Sequence, residues 1–144
     1  MKTIIFLRHL FTAFGLIACL AVPLSAHAGG KPGVVIQMSE NDPAKWNLAL
    51  NNARNLITAM GGADKVDVEI VAYGPGLGML KEDSAVGERL GGVLSEGVKL
   101  SACGNTMRAQ KVSETDLHMG VQVVSAGVME IMQRQQSGWA YIRP

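Results

Sequence analysis

The chain is short of the residues from which most catalytic and metal centres are built. Its 144 residues include only two cysteines and three histidines. Cys19, His9 and His27 fall within the first 28 residues, which leaves Cys103 and His118 for the remainder. One cysteine and one histidine do not make a zinc site without carboxylates, and no ligand spacing suggests a metal or a cofactor. A cysteine protease needs a histidine poised beside its nucleophile. Cys103 and His118 are the one such pairing here, and a solvated loop histidine is the plainer role for His118. A phosphatase loop needs C-x5-R, and Arg108 falls one residue too early. A surplus of positive charge is also missing. Beyond Lys2 and Arg8 there are 11 basic residues against 12 acids, so the chain after its leader carries a net −1. That balance leaves no electrostatic footprint for nucleic acid or for a polybasic membrane patch.

Long apolar runs are confined to the start. Lys2 and Arg8 precede an apolar stretch from about Leu10 to Leu24, which closes on Ala26-His27-Ala28. This is the layout of a signal peptide cleaved after Ala28, with a domain over 29–144 and delivery to the periplasm. The stretch is short for a bilayer span of ~20 residues, and no membrane span is expected in the mature chain. A second route also fits. Leu16-Ile17-Ala18-Cys19 matches a lipoprotein box, in which Cys19 would be lipidated. By either route Cys103 stays the single free cysteine of an exported chain. No intramolecular disulfide can form, and the choice lies between a reactive thiol, an intermolecular pair and an inert buried side chain.

About 116 residues suffice for one domain with one core. Gly33–Ser39 is a short β-branched run that predicts a buried strand. Asp42 suits an N-cap and Pro43 the first turn of a helix running to about Met60, with Trp46, Leu50, Ala53, Leu56, Ile57 and Met60 on its inner face and Gly61-Gly62 at its end. Val66–Tyr73 predicts a second strand, Ser84–Ser95 a second helix and Val98–Ala102 a third strand. Residues 104–111 suit either a short helix or a loop. Val121–Val124 predicts a fourth strand, Ser125 the cap of a helix from about Ala126 to Gln136, and Trp139–Ile142 a last strand. This alternation predicts an α/β fold with a mainly parallel sheet of about five strands, covered on both faces. Ligands gather at the carboxyl ends of such strands, where Gly74-Pro75-Gly76, Cys103 and Ser125 all fall. The scattered methionines, Met38, Met60, Met79, Met107, Met119, Met129 and Met132, predict core filling more than a copper site.

Chemistry concentrates on Cys103-Gly104-Asn105-Thr106. A cysteine at a strand end before a glycine can sit in a turn of backbone N–H groups, and Thr106 stands where its hydroxyl can meet the thiolate. The spacing is that of C-x-x-C with the resolving cysteine absent. Such a site can hold a persulfide or a mixed disulfide but cannot close its own disulfide. The Gly74–Gly78 loop lacks the spacing and the lysine of a phosphate loop, and a tight turn that shapes the pocket is its simpler role.

The stretches VVIQMSENDPAKWNLALNNARNL, VEIVAYGPGLGML, GVKLSACGNTM and SAGVMEIMQRQQSGWAYIRP resemble the DsrE/DsrF-like family over roughly Gly33 to Pro144. The resemblance implies a flavodoxin-like three-layer sandwich and a homo-oligomer, a trimer or hexamer. It also implies sulfur relay through a cysteine persulfide, with the cysteine of ACGNTM carried onto Cys103. Two functions follow as expectations. One is a periplasmic sulfur carrier on Cys103, with Gly104, Asn105 and Thr106 around the sulfur and a protein donor or acceptor of sulfur as partner. The other is a non-enzymatic oligomeric module whose strand-end pocket binds a small ligand or a peptide.

Overall fold

The computed structural model describes residues 30–144. The signal sequence and the lipoprotein box lie outside the described residues. Five strands form one sheet: β1 (Gly33–Met38), β2 (Asp67–Ala72), β3 (Lys99–Cys103), β4 (Gln122–Val124) and β5 (Ala140–Ile142). Every pairing is parallel, and the spatial order is β4-β3-β2-β1-β5. The helices are α1 (Pro43–Met60), α2 (Gly87–Ser95), α3 (Gly104–Gln110) and α4 (Gly127–Gln136), with 3₁₀ turns over Gly74–Leu80 and Glu114–Asp116.

The strand order decides which face each helix covers. Parallel crossovers are right-handed. The steps β1→β2→β3→β4 all move in one direction and leave α1, α2 and α3 on one face. The return from β4 to β5 runs the other way and lays α4 across the opposite face. The result is the expected three-layer α/β sandwich of the flavodoxin-like kind.

The two faces are unequally built. Val34, Ile36, Met38, Val68, Ile70, Ala72, Leu100 and Ala102 point to the main core, with Trp46, Leu50, Leu77, Met79, Leu80 and Leu90 packed on them. Full burial of each such large side chain contributes about 1.5–3 kcal/mol. The α4 face has a small apolar cluster, Val35, Val71 and Ile131, flanked by Tyr73 and Trp139.

Helix α1 forms where its end signals place it. Asp42 Oδ1 accepts from the Ala44 N–H at 2.9 Å, and Pro43 occupies the first turn. Gly61 adopts φ 88° at the C-terminus, a left-handed conformation that favours glycine. Other ends differ from expectation. Helix α2 starts at Gly87 and not at Ser84, because the Ser84 hydroxyl and carbonyl accept the N–H groups of Val86 and Gly87 and close a turn first. Ser125 does not cap α4. The N-cap is Ala126, and no side chain bonds the first turn. Gly104–Gln110 resolves as helix α3, with Lys111 as its C-cap. Only Met38, Met79 and Met107 of the seven methionines fill the core. Met60, Met119, Met129 and Met132 are exposed, the last two because α4 turns Ile131 inward and its neighbours out.

Candidate functional site

Cys103 ends β3 and is the N-cap residue of α3. The connection after β3 leads to α3 on one face, and that after β4 leads to α4 on the other. Adjacent strands whose connections part in this way form the crevice where open α/β sheets bind ligands. Cys103 lies at that crevice. The backbone of β4 runs close beside it: a side chain at Gly104 would come 3.1 Å from the Val124 carbonyl oxygen and 3.4 Å from that of Ser125.

The thiol is a free, largely buried group, 5 % exposed. Burial by itself pushes a thiol up in pKa. Here that effect is outweighed by the Thr106 hydroxyl first, then by the backbone N–H groups of Gly127, Thr106 and Asn105, although no N–H of the first turn of α3 forms an aligned cap hydrogen bond with the sulfur. The thiol is thereby held below the ordinary cysteine value. Thr106 Oγ1 also accepts the Gly74 N–H at 2.9 Å, so the glycine loop orients the hydroxyl that meets the sulfur. The Gln110 amide donates to the Gly74 carbonyl at 2.9 Å and ties the loop to α3 a second time.

The structure thus brings Cys103, Gly104, Asn105, Thr106 and Gly74 together, in altered roles. Asn105 contributes its backbone N–H, while its side chain accepts from Arg108 on the outer side of α3. Pro75 is the second residue of the 3₁₀ turn. The Gly76 N–H is taken by the carbonyls of Ser39 and Tyr73, and a side chain at Gly76 would collide with the Met38 carbonyl. The loop is therefore a brace and not an anion cradle. His118 is placed elsewhere: its ring lies near Gly91 on α2, and its Nδ1 is 2.9 Å from the Met119 carbonyl oxygen.

Four participants escaped the sequence. Gly127 opens α4 against the site, and a side chain there would meet Tyr73 Cβ at 3.1 Å and Cys103 Cβ at 3.3 Å. Tyr73 ends the β2 run, and burial first, then the neighbouring Tyr141, raise its phenol pKa. Glu69 alternates with apolar residues as a solvent-facing side chain would, yet it is 1 % exposed. It accepts from Ser101 Oγ at 2.6 Å and faces Arg134 Nε at 2.6 Å. The Arg134 N–H points off that line, so this contact is an ion pair and not an aligned hydrogen bond. The usable signal was a carboxylate inside a strand of a sheet covered on both faces, which requires a buried partner.

Gly104, Met107, Arg108, Val112, Ser113, Glu114 and Val123 line an open cleft of ≈ 290 Å³ beside Cys103. A larger depression of ≈ 690 Å³, around Lys81, Asp83, Lys111 and Asp116, adjoins that cleft at Val112 and is a solvated mixture of charges. Among the described residues no group of three or more histidine, cysteine, aspartate or glutamate side chains is arranged for a metal. None of the described helices is long and apolar enough to cross a membrane.

A parallel sandwich with one donor-lined cysteine at its crevice defines a class of small α/β thiol proteins. A model of the DsrE/DsrF-like family matches residues 32–144, and the chain belongs to that family. It is similar to the solved structure of a protein of unknown function, MTH1491, from Methanobacterium thermoautotrophicum. The two share 39 % identity and a TM-score of 0.75 over 79 % of this chain and 100 % of that one. Protein BT1422 of Bacteroides thetaiotaomicron, of unknown function, has a TM-score of 0.59 at 15 % identity, over 78 % of this chain and 94 % of its own. The ychN protein of E. coli has a TM-score of 0.58 at 15 % identity, over 77 % and 99 %. These last two show the fold alone. No curated protein matches the chain. Family membership suggests a function of the sulfur-relay type.

Proposed function

We propose that the protein is an exported, periplasmic sulfur carrier that holds sulfane sulfur as a persulfide on Cys103. One observation carries this reading: a single buried thiol at the strand-end crevice, with Gly127 of α4 packed against its Cβ and the Thr106 hydroxyl fixed by the Gly74 N–H on the same turn. The Cys103 thiolate attacks the outer sulfur of a donor persulfide, polysulfide or thiosulfate. A Cys103–sulfur bond forms, the donor's sulfur–sulfur bond breaks, and the donor leaves as thiolate, shorter polysulfide or sulfite. The new terminal sulfur carries the negative charge and sits among the same N–H and O–H donors. An acceptor thiolate then takes that terminal sulfur and returns Cys103 to thiolate. No second cysteine lies near enough in sequence to displace the sulfur internally, which suits a carrier.

The carrier is proposed to work as a homo-oligomer, a trimer or hexamer, and to exchange sulfur with a donor or acceptor protein. Exposed Val128, Met129 and Met132 on α4 support an assembly that covers this helix. The low exposure of Cys103 favours one alternative, an oligomeric binding module in which the sulfur only lines a ligand or peptide pocket. Intact mass after incubation with polysulfide or thiosulfate separates the two. The carrier gains sulfur in steps of one atom, and Cys103→Ser gains none. Absence of sulfur on the wild type, or equal uptake by the variant, rules the carrier out.

A further inference from the structure

Helix α4 approaches Cys103 from the face opposite to the other described helices, and its footing on the sheet is narrow. The inward stripe reads Gly127, Ile131 and Arg134, spaced i, i+4 and i+7 along one side of the helix. Each member has one main partner in the sheet. Gly127 lies against Cys103 and Tyr73. Ile131 packs on Val35 and Val71. Arg134 meets buried Glu69, whose other oxygen is held by Ser101. Arg134 also pairs with Glu130 at 2.8 Å and stacks over the Trp139 ring at 4.6 Å from its centre. An apolar contact made by one isoleucine tolerates sliding and rotation. A charged pair in a buried setting does not, because displacement leaves the carboxylate without compensation.

We propose that Glu69 and Arg134 are positioning residues for Cys103: their pair pins α4 two turns from its start, so that the helix holds the Gly127 amide against the sulfur. This inference rests on the reading of Cys103 as the working nucleophile. The pair touches neither the sulfur nor any reacting atom. It acts through the helix, whose backbone hydrogen bonds transmit the register from Arg134 back to Gly127. Serine and lysine complete the arrangement on the sheet side, since Ser101 and Lys99 share the Glu69 face of β3.

The charged and titratable groups around the two centres are few. Glu69 faces Arg134 and Glu130 from α4, Lys99 from β3 and the apolar Val35 from β1. Cys103 faces Tyr73 beyond the end of β2 and, across Gly104, Arg108 from α3. Two physical accounts of the pair therefore predict opposite signs. If Glu69 acted on the thiol through space, removal of its negative charge would ease thiolate formation. If it acts by holding α4, its removal loosens the Gly127 donor and hinders thiolate formation.

The test is an ultraviolet thiolate titration of the whole protein, with the Cys103→Ser curve in the same background subtracted. Glu69→Gln is expected to shift the Cys103 curve to higher pH, with about tenfold less thiolate on its acid side, the size of one lost hydrogen bond to an anion. Arg134→Lys keeps the charge and loses the planar fork and the stacking. It is expected to shift the curve the same way by a smaller amount, and it serves if Glu69→Gln does not fold. Unmoved curves in folded variants, or a shift of Glu69→Gln to lower pH, overturn the proposal. The titration needs no sulfur donor, so failure of the carrier reading, seen as absent sulfur uptake by the wild type, is a separate result.

Discussion

At the scale of single residues the site is a balance between burial and donors on one sulfur. Burial opposes the thiolate, and Thr106 leads the groups that favour it. Because the folded thiol is held below its ordinary value, the native state binds fewer protons than the unfolded chain in that interval. Its contribution to stability is then fully present above the unfolded value of about 8.5, and it is lost as pH falls through the folded one. Thr106→Val should remove part of this contribution. Denaturant unfolding at several pH values is expected to show a wider gap between wild type and variant on the alkaline side, by about 1 kcal/mol. A gap that is constant with pH would mean that Thr106 is only structural. Cys103 and Thr106 were legible as partners because they are three residues apart on one short turn. Gly127 and Tyr73 were not, because only the crossovers after β4 and β2 bring them to the sulfur. Glu69 was not singled out for a related reason: alternation gives the face of a strand, and not what covers that face.

At the scale of elements, legibility followed the strength of the end signals. Helix α1 carried a capping aspartate, a first-turn proline and a terminal glycine, and it forms between them. Helix α4 had a serine one residue too early, and its start is fixed instead by the close approach of Gly127 to Tyr73 and Cys103. Helix α3 was ambiguous, and its end shows why. Lys111, and not a glycine, adopts the left-handed conformation there, at φ 55°. A side chain in that region is strained. Lys111→Gly is therefore expected to stabilise the protein by about 0.5–1 kcal/mol in chemical denaturation while leaving the Cys103 titration unchanged, since Lys111 lies at the far end of α3. Destabilisation would show that the Lys111 side chain has a role in packing. At the other edge of the sheet, Arg143 and then Ser39 draw the Glu40 carboxyl down to about 2, and Tyr141 donates to Gln37 at 2.6 Å. These contacts tie β5 to the end of β1.

At the scale of the whole molecule, the fold class and the carboxyl-edge location of the site were legible from strand–helix alternation alone. The strand order was not, because periodicity says nothing of which strands pair. The unequal faces follow from that order. Among the described residues three helices bury one side of the sheet, while α4 alone covers part of the other and shows Val128, Met129 and Met132 to its surroundings. Sedimentation velocity of the wild type is expected to give a trimer or hexamer, and Met132→Glu is expected to shift it toward smaller species, because a carboxylate is costly to bury in an apolar contact. A monomeric wild type would refute the proposed assembly. The order also places the last strand against the first, with Tyr141 and Gln37 bonded across 104 residues of chain. No hairpin exists among the five named strands, so every pairing waits on a crossover. β1 therefore stays without its outer neighbour until β5 reaches it over a long loop of chain, and this edge of the sheet closes only once both segments are present together.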